Sequence, residues 1–204
     1  MKKNKYYEIK VSIKNTHPPV WRRLQIPSGI TFHELSAIIQ LAFDWSGQHM
    51  YGFEIPNQEL GQTLYIEHKD ECDFNDAKES TKIKIDKYFQ NCTKMKYVYD
   101  FGDQWEHEIV IEKIVETEEP LENPKCIKAK MASLPEDCGG TYGYDRLLKI
   151  LSNPEDSEYQ EMVEWIEENT YWNEDRDYVD IEEISGILED YKEHAEFLLD
   201  DFMM

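Results

Sequence analysis

Between Met95 and Ile111 the chain places its large apolar side chains on every second position. Met95, Tyr97, Tyr99 and Phe101 share one strand face, Gly102-Asp103 interrupts, and Trp105, His107, Ile109 and Ile111 share one face of a second strand. Period two belongs to β-strands with one buried side, and a Gly-Asp turn between two such runs closes a hairpin. Rings this dense on one face need a cover, which a wholly disordered chain does not offer. The 13% aromatic and 40% hydrophobic content supplies that cover in spite of a mean hydropathy of -0.72.

The rest of the chain extends the sheet and adds helices. Tyr7, Ile9, Val11 and Ile13 alternate with polar residues, His17-Pro18-Pro19 forces an extended turn, and Val20 to Ile26 reads as a return strand. Thr31-x-x-Glu34 is a capping box, and Leu35, Ile38, Ile39, Ala42 and Phe43 follow at helical spacing, so a helix is expected over 31–43. Short β-type runs are expected at 49–55, 62–67 and 81–85, with a polar loop over 69–80, and 120–136 reads as irregular. Asn153-Pro154 signals the start of a helix to about Glu168. A last helix carries Ile181, Ile184, Leu188, Tyr191, Ala195, Leu198 and Phe202 on one stripe. The fold class expected is α+β: a mostly antiparallel sheet, one helix packed on a face, and an acidic helical C-terminal part. The organisation expected is one domain over 1–176, with the amphipathic helix of 177–204 packed on it; 204 residues suit one large domain.

The charge is lopsided. Against 22 Lys and Arg stand 43 Asp and Glu, a net -21, and residues 154–204 hold 19 of those acids with only Arg176 and Lys192. Such a chain repels a phosphate backbone, so direct nucleic-acid binding is excluded as an expectation and any partner reading the acidic part is a basic protein. Imitation of nucleic acid is the strongest form of that reading; a solvated helix face is the plainest. The basic N-terminus lacks an apolar core segment and a cleavage site, and nowhere do about 18 apolar residues run without charge, so a cytoplasmic protein without membrane contact is expected. Cys72, Cys92, Cys126 and Cys138 form no C-x-x-C pair and read as reduced thiols.

Three segments concentrate residues with chemical potential: Trp21-Arg22-Arg23 after the double proline; Tyr99-Asp100-Phe101-Gly102-Asp103 with Trp105 and His107; and Glu136-Asp137-Cys138-Gly139-Gly140. Together with Phe43-Asp44-Trp45 and His49, they resemble the plasmid pRiA ORF-3-like family, whose members also carry the label of resolvase-like passengers of insertion elements. The likeness runs from about residue 7 to 165, with the helix beyond about 177 as an extension. It implies a compact α+β domain of bacterial, archaeal and mobile-element contexts, and it implies no activity.

Chemistry can be weighed residue by residue. Asp100-Phe101-Gly102 lacks the glycine-rich loop and lysine of a kinase, and Gly139-Gly140 lacks a P-loop lysine. Asp100, Asp103, His107 and Glu136 have the donor types of a metal site, with His49, Asp137 and Cys138 as further candidates, although the spacing is not diagnostic. Cys138 has acidic neighbours that oppose a thiolate. Arg22 and Arg23 point to opposite faces, so one is buried and calls for a carboxylate among Asp100, Asp103, Glu136 and Asp137. The function expected is therefore a non-enzymatic protein-interaction module of mobile-element or defence context, with no cofactor, as a monomer or a weak homodimer through the C-terminal helix. The alternative is a metal-dependent enzyme using Asp100, Asp103, His107 and Glu136.

Overall fold

The computed structural model describes residues 3–57, 61–68, 76–169 and 175–200; of Asn57, Asn169 and Asp200 only the backbone is described. Cys72, Phe202 and most of the 69–80 loop lie outside the described residues. Strand β1 (Asn4–Ile13) forms because Tyr7, Ile9, Val11 and Ile13 alternate, and all four are buried. It pairs antiparallel with β2 (Trp21–Pro27) on one side and with β7 (Trp105–Thr117) on the other. Around them lie β3 (Tyr51–Asn57), β4 (Gln62–Glu67), β5 (Lys78–Glu79), β6 (Lys94–Tyr99) and β8 (Lys125–Lys130), in one eight-stranded sheet of order β5-β4-β3-β6-β7-β1-β2-β8. Among the described residues only the β4–β5 contact is parallel. The expected α+β class and its mostly antiparallel sheet hold.

The hairpin of β6 and β7 registers Met95 with Ile109, Tyr97 with His107 and Tyr99 with Trp105, and all six are buried. Phe101 departs from the expected face. Asp100 turns into the left-handed region at φ 55, so Phe101 sits in the turn and is 37% exposed. The sheet's other face carries cross-strand ion pairs, among them Arg23–Glu112, Lys96–Glu54 and Lys113–Glu8. Each such surface pair is worth about 0–1 kcal/mol, so these charges keep the face solvated more than they hold the fold.

Helix α1 (Phe32–Ala42) starts at the Thr31 capping box, with Thr31 and Glu34 satisfying each other's backbone amides. Nearly every residue of α1 is buried, because the sheet covers one side and the C-terminal helices cover the other. Its polar residues therefore need internal partners. His33 Nε2 donates to Ala195 O (2.7 Å), so its Nδ1 accepts from Tyr51 Oη (2.6 Å). Ser36 Oγ meets Tyr97 Oη at 2.8 Å, and Gln40 reaches both.

Among the described residues a short helix, α2 (Asp86–Phe89), follows β5, and α3 (Gly140–Leu151), α4 (Tyr159–Asn169), α5 (Ile181–Ile187) and α6 (Tyr191–Asp200) come after β8, with a 3₁₀ turn at Leu188–Asp190. Leu188, Tyr191, Ala195 and Leu198 are buried, and α5 and α6 lie against α1.

Several boundaries differ from the sequence expectation. The 81–85 run forms only an isolated bridge between Thr31 and Lys84. The irregular segment contains the edge strand β8, whose lysines disguise its alternation and whose Cys126 backbone is capped by Ser185 of α5. Asn153 closes a turn with Asp156, and helix α4 begins only at Tyr159. The last stripe is broken by the 3₁₀ turn into two helices. Among the described residues no helix is long and apolar enough to cross a membrane.

Candidate functional site

The α1–β3 connection lays its two aromatics onto the hairpin. Trp45 stacks on Tyr99 (centroids 5.0 Å, 15°) and touches Trp105 and His107, while Phe43 meets His107 at 5.4 Å. Trp45 Nε1 donates to Leu134 O, and Tyr99 Oη donates to Glu136 Oε1 at 2.6 Å, so the 134–136 segment is clamped to the same rings. Burial pushes the Tyr99 hydroxyl well above its usual pKa, and the Glu136 charge adds to this. Trp105 and His107 are fully buried. The His107 Nδ1–H donates to Trp105 O, and burial pulls this imidazole down to about 3. It is a neutral core residue.

Arg22 is the buried arginine, 1% exposed, but its partners correct the expectation of a carboxylate. Nε donates to Ala42 O (2.9 Å), Nη1 to Met131 O (2.9 Å), Trp21 O and Lys130 O, and Nη2 to Ser133 Oγ, with the Phe43 ring 4.9 Å away. Ala42 O lies at the C-terminal end of α1, where a cation also complements the helix dipole. Burial pulls the guanidinium down to about 10, and the nearby Asp44 charge works against that. Arg23 faces outward and grips Glu112 with two hydrogen bonds of 2.6 and 2.9 Å, and Trp21 beside it carries Lys10 over its ring.

The glycine motif docks the hairpin turn. Gly139 (φ 89) donates its N–H to Asp103 Oδ2 at 2.9 Å, and a Cβ on Gly140 would lie 2.1 Å from Asp103 O. Helix α3 thus starts where only hydrogen fits, with no side-chain cap, which is why its start is hidden in the sequence. Cys138 is pushed up to about 12, by burial first and by Asp103 and Asp137 next, so its thiolate form is disfavoured. Cys92, Cys126 and Cys138 are free thiols.

The four residues expected as metal ligands do not gather. His107 is among rings, Glu136 is held by Tyr99 and Ser46, and Asp103 by Gly139. What converges instead is His49, with Nε2 at 3.0 Å from Asp137 Oδ1 and Nδ1 at 3.8 Å from Asp100 Oδ2. One ligand atom from each of these three lies within 4.8 Å of the others.

A cavity of about 510 Å³ opens between the end of α1, residues 132–136 and α5. Arg22, Trp45 and Glu136 reach it from the sequence motifs; Asp44, Asp180 and Glu183 join them, three acids absent from the candidate ligands weighed above. The available signal for Asp44 was its place between two aromatics that pack inward, which leaves its own side chain outside.

A mostly antiparallel eight-stranded sheet with a buried helix on it, a glycine-docked hairpin and a buried carbonyl-bound arginine defines the class of domain. The chain belongs to the plasmid pRiA4b ORF-3-like protein family, which matches residues 5–183 and so extends past residue 165 into α5. It is similar to the uncharacterized protein y4hQ of Sinorhizobium fredii, 30% identical over 170 residues that cover 80% of this chain and 81% of that one. It is also similar to the crystal structure of the protein of unknown function MM3350 from Methanosarcina mazei Go1. There the TM-score is 0.77 at 34% identity, covering 90% of this chain and 99% of that one.

Proposed function

We propose that this protein is a non-enzymatic interaction module that binds a basic protein partner through the carboxylates of its C-terminal helices. One observation carries this reading. Leu188, Tyr191, Ala195 and Leu198 turn inward while Glu182, Glu189, Asp190, Glu193 and Glu196 are exposed on the same helices. Among the described residues none of these five acids takes part in an ion pair, in contrast to Glu158, which Arg146 engages, so their charge is unneutralised. Acids held on ordered helices present a fixed negative field that attracts and orients a basic surface. The plasmid association in the family's name supports a mobile-element or defence context.

The test is capture of partners from the native host at low and high salt, with wild type and the triple variant Glu182→Gln, Glu189→Gln, Glu193→Gln. A basic partner is expected to be lost on both treatments, since screening shortens to about 8 Å at physiological ionic strength. Nucleic-acid mimicry further requires that DNA compete with this protein for that partner. Captured proteins indifferent to salt and to the triple variant would sink the proposal.

A second reading, a metal-dependent enzyme, is favoured by the convergence of His49, Asp100 and Asp137. Metal analysis of protein purified without an affinity tag decides it. One zinc or manganese per chain, lost on His49→Ala, supports the enzyme; no stoichiometric metal, with a melting temperature unchanged by chelator, removes it.

A further inference from the structure

The acidic surface is not uniform, because two of its carboxylates stand at the mouth of the cavity. Asp44 enters from the end of α1, held at φ 56 between buried Phe43 and Trp45, and Glu183 enters from the first turn of α5. Among the described residues neither carboxylate takes a hydrogen bond or an ion pair, in contrast to Glu136, which Tyr99 and Ser46 occupy. Asp180 caps α5 through Oδ1 alone, at 2.9 and 3.0 Å from the amides of Glu182 and Glu183. The lining holds four carboxylates against the one guanidinium of Arg22, which is spent on backbone carbonyls and Ser133. Partial enclosure by the cavity wall raises the Asp44 pKa, the charges of Glu183 and Glu136 raise it further, and the Arg22 guanidinium lowers it, so the acids of the lining repel one another and a cation would relieve them.

The remaining walls suit an extended cation more than a bare ion. Leu41 and Ile184 offer apolar surface for an aliphatic stem, and Tyr178, 47% exposed, offers a ring face. Two separated carboxylates and a ring match a planar, weakly hydrated guanidinium better than a compact ammonium.

Resting on the interaction reading above, we infer that this cavity is the socket for one arginine side chain of the basic partner, with Asp44 and Glu183 as its charge partners. The surface acids of α5 and α6 then attract the partner, and the socket selects its register.

The test is a titration of the full chain with acetyl-arginine amide, acetyl-lysine amide and acetyl-citrulline amide, followed by the amide signals of residues 44–46 and 180–184 and the Trp45 indole signal. Saturable shifts are expected with the arginine probe, weaker ones with lysine, and none with citrulline, which keeps the shape and lacks the charge. The double variant Asp44→Asn, Glu183→Gln should weaken arginine binding about tenfold or more, as loss of charge-assisted hydrogen bonds requires. Asparagine tolerates the left-handed backbone of residue 44, so an unchanged melting temperature shows that the fold is kept. Citrulline binding as well as arginine, or arginine binding unaffected by the double variant, overturns the socket. Failures of the two proposals separate cleanly. Salt-sensitive partner capture that survives the double variant but not the triple variant leaves the acidic-surface reading standing and removes the socket; capture indifferent to salt removes both.

Discussion

Replacing Arg22 by leucine lowers the melting temperature by roughly 6–20 °C. The guanidinium is 1% exposed and supplies donors to the carbonyls of Trp21, Ala42, Lys130 and Met131 and to Ser133 Oγ. Leucine fills much of the volume and returns no donor, so buried or part-buried acceptors on β2, α1, the end of β8 and the segment after it lose this partner together. Each unsatisfied buried acceptor costs about 1–3 kcal/mol, and breaking such a network costs about 3–5 kcal/mol. For a chain of this size one kcal/mol moves the midpoint by roughly 2–4 °C. Arg22→Lys should rescue little, because an ammonium cannot span acceptors on three elements. Arg23→Leu is the internal control. It removes an outward-facing pair with Glu112, worth about 1 kcal/mol or less. Equal shifts for the two leucine variants would refute the carbonyl-anchor account.

Gly140→Ala should be comparably damaging, with a midpoint fall of roughly 10 °C or more. The new Cβ would stand 2.1 Å from Asp103 O, a backbone atom that moves only if the hairpin turn or the start of α3 moves with it. The residue also adopts φ 66, where an L side chain is disfavoured by roughly 1–2 kcal/mol. Gly29→Ala separates these two costs. Gly29 has φ 82 but no atom within 4 Å of its hypothetical Cβ, so it reports the backbone penalty alone. Paired thermal melts decide the matter: if the two variants fall equally, the close approach of the glycine motif to the hairpin is wrong.

The two variants mark how much was legible beforehand. The alternation of β1, β6 and β7, the Thr31 capping box and the inward stripe of the C-terminal segment are each written in residues near one another, because a two- or 3.6-residue period and a cap are local geometry. These elements, with the ring-rich hairpin face, already imply an α+β domain. The start of α3 at a glycine pair, the lysine-blunted edge strand β8 and the 3₁₀ break after Ile187 went unread, since each makes sense only against a neighbour in space.

The site divides in the same way. That one arginine of Trp21-Arg22-Arg23 is buried follows from strand alternation, whereas its choice of carbonyls over carboxylates follows from where the end of α1 and the chain after β8 happen to meet. The charged and aromatic residues of the hairpin were visible as a group. Only packing sorted them, placing His107 among rings, giving Glu136 to Tyr99 and setting His49 between Asp100 and Asp137. Asp44 and Glu183, about 140 residues apart in the sequence, face one cavity because α5 folds back over α1. Sequence by itself therefore determined which faces are buried and how the charge is distributed, both properties of local period and composition. Tertiary structure alone decided which polar groups distant in the chain meet, because hydrogen bonds and ion pairs act over a few ångströms and, beyond a local cap, carry no trace along the chain.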